Sequence, residues 1–451
     1  MTRRVMAVIG APRCVPLPQR AAAGTPSSAG LARNTAADAI PHRQSTDRPP
    51  AVSTSGPIGP LLRKCDRPGA AIIVRSARCR QRIGGLMGAN DRVRVGVIGA
   101  GSWAASNHIP VLQARDDVEL VVAVRKGVDA LEMLKDRFGF EHITEDYREA
   151  LEHDLDAVVV GSPSVFHHEH AKAAMEAGAN VLCEKPVTID PADAWDLDAT
   201  AKALGRHLVI SFGWHYRPTV IEAKRMMAED GGVGEIEHIL VAMASGTREL
   251  LKATGAYEGS ATDFMPDWDT WTDPAMSGGG YAPAQLSHAM GLALWLSGER
   301  AKDVFALMNN VGARVDLHDA ISIRYQSGAT GVLSGASCPS QAGIGDIADE
   351  PWPRHQLQVR FYGSEGQLIV DLERDFLWHF REDGTDNKPD LPDHAGLYQC
   401  DGPPTTLIDL TQGKEVPNRS PGEVGARSVE VVAAAYESLR TGGLARVAGV
   451  E

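Results

Sequence analysis

No apolar stretch in the 451 residues reaches the about eighteen that a membrane-spanning helix requires, so no membrane partner is expected. Cysteine is scarce. The six residues at 14, 65, 79, 183, 338 and 400 contain no CxxC pair. That spacing favours neither a zinc site nor a dense disulfide framework, and a reducing cytoplasm is the expected compartment. Positive charge is in deficit as well. The formal net charge of −13 is the wrong sign for nonspecific binding of nucleic acid.

The deficit is uneven. Residues 1–90 hold 14 Lys/Arg against 3 Asp/Glu, and the remainder holds 31 against 55. The same segment is rich in Pro, Ala, Arg and Ser and has little periodicity. It reads as a disordered or wrongly extended N-terminus, with Met87 as the natural start. An appended tail is a second reading. Arg3-Arg4 before Val5–Ile9 gives a faint export signal, cut short at Pro12 and Arg13. The hydrophobic content of 43% supports two domains with cores of their own, expected at 91–215 and 216–451.

Val93–Ile98 is a short apolar strand. Gly99-Ala100-Gly101-Ser102-Trp103-Ala104 follows it, and a helix is expected to about Gln113. This GxGxxA lies between strand and helix, with a further strand at Val118–Val124. Gly99 permits the tight turn, Gly101 lets a pyrophosphate approach the backbone, and Ala104 allows close helix–strand packing. The helix N-terminus offers amides to phosphate. A dinucleotide is the expected ligand, with Gly99, Gly101, Ser102 and Trp103 around it.

The tip of the second strand lacks the carboxylate that would hold a ribose 2′-hydroxyl. Arg125-Lys126 stands there instead. It reads either as a 2′-phosphate site, which favours NADP over NAD, or as a solvated basic pair. Glu119 is at the wrong end of the strand.

Alternation continues through helix Leu131–Phe138, a turn of helix at Tyr147–Leu151, strand Ala157–Val160, loop Gly161–Ser164, helix His167–Ala177 and strand Asn180–Cys183. Glu184-Lys185-Pro186 follows at a strand end, where a doubly wound sheet opens its ligand crevice. Helix Ala192–Leu204 and strand Leu208–Phe212 complete this half. Strand-like runs then occur at 236–243, 303–309, 320–325, 331–336, 356–362 and 367–370, and Val429–Leu439 reads as a closing helix.

Four of these elements, in this order, resemble the family of glucose-fructose oxidoreductase, inositol dehydrogenase and rhizopine-catabolism oxidoreductases. They are the Gly99-x-Gly101 opening, Ser162-Pro163-Ser164-Val165-Phe166-His167, Cys183-Glu184-Lys185-Pro186, and Ser277-Gly278-Gly279-Gly280 with His288 beyond. Asp319 and Gly328-Ala329-Thr330-Gly331 match the sheet of its second domain. The resemblance spans about residues 92–445. It implies an N-terminal Rossmann dinucleotide-binding domain followed by an α/β domain with a large open, mostly antiparallel sheet. It also implies NAD(P), a sugar, cyclitol or related polyol as substrate, and a homodimer or homotetramer.

For the chemistry, the resemblance implies His288 as proton acceptor and donor and Lys185 as its assistant. A histidine with a free pKa of about 6.5 suits that exchange. Ser162, Pro163, His167 and Glu184 are expected beside the cofactor. Tyr216, Arg217, Trp271 and Gln285 are expected around the substrate, each with a structural role as the alternative. One departure is plain. The family usually carries Asp four residues before the histidine, and here Ala284 stands there. Gly291 also replaces a frequent second Asp, and Thr272 a usual Arg. The readings left open are a Lys–His pair helped by Gln285, a substrate of different hydroxyl geometry, or a noncatalytic dinucleotide-binding regulator or complex subunit. A lyase or hydrolase using recycled bound NAD is a further alternative. His167 and His170 share a helix face, but nothing nearby completes a metal site, and no metal is expected.

Overall fold

The structure is a computed structural model that describes residues 92–255, 267–339 and 355–449. The expectations for residues 1–90 lie outside the described residues. No helix among the described residues is long and apolar enough to cross a membrane.

Six strands form the first sheet: β1 (Val93–Ile98), β2 (Val118–Val124), β3 (His142–Thr144), β4 (Ala157–Val160), β5 (Asn180–Cys183) and β6 (Leu208–Ile210). Their order is β3-β2-β1-β4-β5-β6, and every pairing is parallel. The strands are short apolar runs because both faces are covered by helices. Val95, Val97, Val158 and Val159 are fully buried. The strand order reverses between β1 and β4, so the loops after these two strands part to leave a crevice.

The fingerprint helix differs from expectation. It divides into Ser102–Ser106 and His108–Gln113, with Asn107 at φ −123 between them. The break lets His108 turn fully inward. Other sequence-read elements recur with shifted ends. The helix expected from Leu131 begins at Val128, behind Gly127. The strand expected to Phe212 stops at Ile210, where the Phe212 amide turns back to the Ile210 carbonyl at 2.7 Å.

The second sheet has eight strands: β7 (Ile236–Ser245), β8 (Ala301–Asn309), β9 (His318–Tyr325), β10 (Thr330–Ser337), β11 (His355–Gly363), β12 (Gly366–Asp371), β13 (Phe376–Arg381) and β14 (Ala445–Arg446). They run in the order β13-β12-β11-β7-β10-β9-β8-β14. Only β7 and β10 pair in parallel. In β9 and β10 buried and exposed positions alternate, so one face packs inward and the other is open.

The inward face packs on the helix Ser287–Ser297, which is buried almost all round. The closing helix runs over Gly422–Thr441, seven residues earlier than its apolar pattern showed. Its first turns are small and buried: a Cβ at Gly425 would lie 3.0 Å from Ile210 Cγ1. Val424 and Val429 sit in the core of the first sheet, whereas Val431, Ala434 and Ala435 sit in the core of the second.

Candidate active site

A cleft of about 1040 Å³ opens at the carboxyl ends of β1, β2, β4 and β5. Gly99 adopts φ +85, and a Cβ there would fall 2.1 Å from the Ser162 amide nitrogen. Glycine is therefore required where the β1 and β4 loops touch. Gly101 is different: its Cβ would meet nothing closer than 4.0 Å. The backbone there faces open space, as a pyrophosphate would need. No side chain caps the helix that starts at Ser102, so its first turn can serve phosphate.

At the β2 end, Arg125 and Lys126 line the cleft with Arg148. The Arg125 guanidinium reaches the Ala100 carbonyl at 3.4 Å, beside the fingerprint. Lys126 reaches the Glu145 carbonyl at 3.4 Å. Glu145 turns its carboxylate to the Gly127 amide at 2.6 Å. Glu119 pairs with Arg94 at 2.9 Å.

The loop after β4 is locked to the loop after β5 by His167. Its ring nitrogens lie 2.7 Å from the Ser162 carbonyl and 2.9 Å from the Pro186 carbonyl. A neutral imidazole can donate to only one of them, and burial lowers its pKa. His167 thus braces the cleft wall that Ser162 and Pro163 also line. His170 donates or accepts with the Ser162 hydroxyl at 2.9 Å and packs on Tyr147 at 4.4 Å.

Glu184 is a buried hub. Its Oε1 receives the Trp103 indole N–H at 2.9 Å and contacts His108 Nε2 at 2.6 Å. Its Oε2 accepts the Lys185 amide at 3.0 Å. Burial alone would push this carboxyl up, but the hydrogen bonds and the Lys185 charge hold it at about 2. The anion therefore ties the fingerprint helix to the strand end that carries the lysine. The peptide between Lys185 and Pro186 is cis. Lys185 Nζ donates to the Ala284 carbonyl at 2.7 Å and lies 6.0 Å from the Trp103 ring centre. Burial lowers its pKa.

Behind the cleft, a small chamber joins Lys185, His288, Gln285 and Trp271 with Trp214, His355 and Tyr398. His288 is buried and ringed by Trp214 at 5.4 Å, Tyr398 at 5.5 Å and Phe212 at 5.7 Å. Its Nδ1 is shut off from solvent and has no hydrogen-bond partner among the described residues. Burial, then the Lys185 charge, sets its pKa well below the usual histidine range. The ring is neutral at neutral pH. Ala284 lines the cleft through a π-helical stretch, Ala282–Leu286, a local form that recurs at functional sites.

Lys185, His288, Trp103, Gln285 and Trp271 are therefore brought together. Tyr216 and Arg217 are not. The Tyr216 hydroxyl meets Ser420 Oγ at 2.9 Å, and Arg217 meets the His394 carbonyl at 3.0 Å and the Gln399 side chain. Neither lines cleft or chamber. Tyr216 ends a 3-10 turn, Gly213–Tyr216, and Arg217 follows it; the turn aims Trp214 at the chamber and Tyr216 elsewhere. His108, Trp214, His355 and Tyr398 were not singled out from the sequence. Trp214 stands two residues before Tyr216 in Trp214-His215-Tyr216-Arg217, and that neighbourhood was its signal. Tyr398 sits in an irregular stretch and had none.

Residues 93–212 match the family described as an oxidoreductase family with an NAD-binding Rossmann fold, and residues 221–369 match the GFO/IDH/MocA C-terminal domain. The chain belongs to the GFO/IDH/MocA oxidoreductase family. It is an NAD(P)-binding enzyme of that family. D-glucoside 3-dehydrogenase of Escherichia coli is 24% identical over 387 residues, covering 78% of this chain and 96% of that one. A dTDP-3,4-didehydro-2,6-dideoxy-alpha-D-glucose 3-reductase of Actinomadura kijaniata is 36% identical over 145 residues, 32% of this chain and 43% of that one. GenD2 from gentamicin A biosynthesis, solved with NAD, is similar in structure at 24% identity and a TM-score of 0.61, with 81% of this chain and 99% of that chain covered. The WlbA dehydrogenase of Bordetella pertussis, solved with NADH and UDP-GlcNAcA, has 20% identity and a TM-score of 0.60, with 79% and 98% covered. At such identities these likenesses concern the fold.

Proposed function

We propose that this oxidoreductase transfers a hydride between NAD(P) and a sugar, cyclitol or related polyol or keto-sugar, with Lys185 and His288 handling the proton. The observation that carries the reading is the joining of the Gly99 cleft to a chamber that holds both groups. The open face of Gly101 and the uncapped turn at Ser102 fit the pyrophosphate. Bound there, the nicotinamide takes up or gives the hydride.

The chain supplies position and charge. Lys185 keeps one N–H on the Ala284 carbonyl, leaving two for a substrate oxygen or a proton relay. His288 is neutral and exchanges the proton at Nε2, since Nδ1 is sealed. Trp214, Trp271 and Tyr398 offer apolar faces to ring carbons, and Gln285 offers an amide to hydroxyls. With Ala284 in place of an acid, the Lys–His pair works with Gln285 rather than with a carboxylate on the same helix.

NADP is the preferred cofactor in this reading, because Arg125 and Lys126 stand where a 2′-phosphate would lie. The domains divide near residue 215, and the enzyme is a cytoplasmic homodimer or homotetramer. The open face of the second sheet supports assembly: Leu307 is 63% exposed and Val332 39% exposed on it. The test is a panel of sugars and cyclitols with NAD and with NADP, read by the absorbance of reduced nicotinamide. A substrate-dependent change supports the reading. Turnover of these compounds without net change in the cofactor would sink it in favour of lyase or hydrolase chemistry.

A further inference from the structure

The helix that carries His288 is entered through Ser277–Gly280, and one carboxylate from elsewhere in the second domain grips this lead-in. Asp316 lies just before β9. Its Oδ1 accepts the Gly280 amide at 2.8 Å, and its Oδ2 accepts the Ala282 amide at 2.9 Å. The Tyr436 hydroxyl, from the helix Gly422–Thr441, donates to Oδ1 at 2.5 Å. The Asp316 carbonyl accepts the Tyr281 amide at 3.0 Å. Three successive amides are thus held by one residue.

The glycines make this approach possible. A Cβ at Gly279 would fall 1.9 Å from the Tyr436 hydroxyl oxygen, and one at Gly280 would fall 2.2 Å from the Asp316 carbonyl. The neighbouring Asp319 is 3% exposed, and neither of its oxygens has a hydrogen-bond partner among the described residues. Burial and the Asp316 charge push it up to about 9. It is protonated at neutral pH.

The clamp ends where the active site begins. Ala282 opens the π-helical stretch Ala282–Leu286, and the Ala284 amide closes onto the Gly280 carbonyl at 3.1 Å. The Ala284 carbonyl then holds Lys185 Nζ at 2.7 Å. We propose that Asp316 is a positioning residue for the hydride-transfer site: by fixing the Gly280 and Ala282 amides it sets the Ala284 carbonyl, and through it the Lys185 ammonium opposite His288. This rests on the proposed roles of Lys185 and His288. Asp316 touches neither cofactor nor substrate and acts through the backbone it holds.

The test is Asp316→Asn in the full chain. The asparagine offers one acceptor oxygen and turns an NH₂ on the second amide, so donor faces donor. The expected result is a kcat lower by about 10–100-fold, the scale of misplacing a group without removing it. The affinity for NADPH or NADH, titrated by fluorescence, stays within about two-fold, because the cleft at Gly99 is untouched. The limb of the kcat–pH profile set by Lys185 moves to lower pH, because an ammonium that loses its carbonyl acceptor gives up its proton more readily. Wild-type kcat, or a kcat loss with an unmoved limb, overturns the proposal. If that variant does not fold, Tyr436→Phe carries the test. It keeps both Asp316–amide contacts but removes the hydroxyl that donates to Asp316 Oδ1 and accepts the Gly280 amide at 3.1 Å, so a smaller kcat loss with the limb displaced in the same direction supports the clamp, and an unmoved limb refutes it. Lys185→Ala separates this from the underlying reading: normal turnover there removes the role of the lysine itself, whatever Asp316 does.

Discussion

In the proposed reaction, the surroundings of Lys185 set its ionisation and direction. Burial draws its pKa down, the Glu184 anion draws it up, and the Ala284 carbonyl fixes its direction. Lys185→Ala removes the ammonium proposed to polarise the substrate and leaves Glu184 bound to Trp103 and His108. We expect kcat to fall by about 10²–10⁴ while cofactor affinity persists, as steady-state kinetics and a binding titration would read. Asp319 gives a prediction about stability. Its folded pKa of about 9 stands above the model-compound 3.8. Between those values the folded state holds a proton that the unfolded state has lost, so this group costs stability as pH rises. Asp319→Asn stays neutral throughout. Its denaturation midpoint should gain on the wild type as pH climbs from 4 toward 9; a constant difference across that window would refute the burial of a protonated Asp319.

At the scale of elements, the helix Ser287–Ser297 explains why the second acidic position of the family is missing. A Cβ at Gly291 would lie 2.8 Å from Phe212 Cε2 and 3.0 Å from Cζ. Phe212 also borders His288 at 5.7 Å. The space a side chain would take is filled by the aromatic wall. Gly291→Ala should therefore destabilise by about 1–3 kcal/mol through overpacking, measured by denaturant titration, and should lower activity by shifting the imidazole. A stability equal to wild type would mean that Phe212 can move aside freely. The first-half strands and their helices were legible because apolar runs, Gly and Pro mark them. The split at Asn107 was not, since nothing local signals that His108 must turn inward to reach Glu184.

For the whole molecule, two surfaces carry predictions. Arg125→Asp places a carboxylate at the β2 tip, where it can accept from a 2′-hydroxyl and repel a 2′-phosphate. The ratio of kcat/KM for NADP to that for NAD should drop, and an unchanged ratio removes Arg125 from the argument. On the second sheet, Leu307→Lys together with Val332→Lys puts charge on the open face. Sedimentation should then show a shift toward monomer, with the fold retained by circular dichroism. A wild-type sedimentation coefficient would place the contact elsewhere.

The sequence by itself determined the strand–turn–helix around Gly99, the strand end bearing Lys185, the glycine lead-in to His288, and the alternation of the second sheet. Each is local: a turn needs glycine, and a half-buried strand needs period two. Only the tertiary structure decided which side of the Gly213–Tyr216 turn faces the chamber, so that Trp214 lines it and Tyr216 bonds to Ser420. It alone brought Tyr398 and His355 to His288, and Leu407 and Ile408 into the core of the first sheet. These are contacts across long stretches of chain, and no periodicity within a short window encodes the partner at the far end.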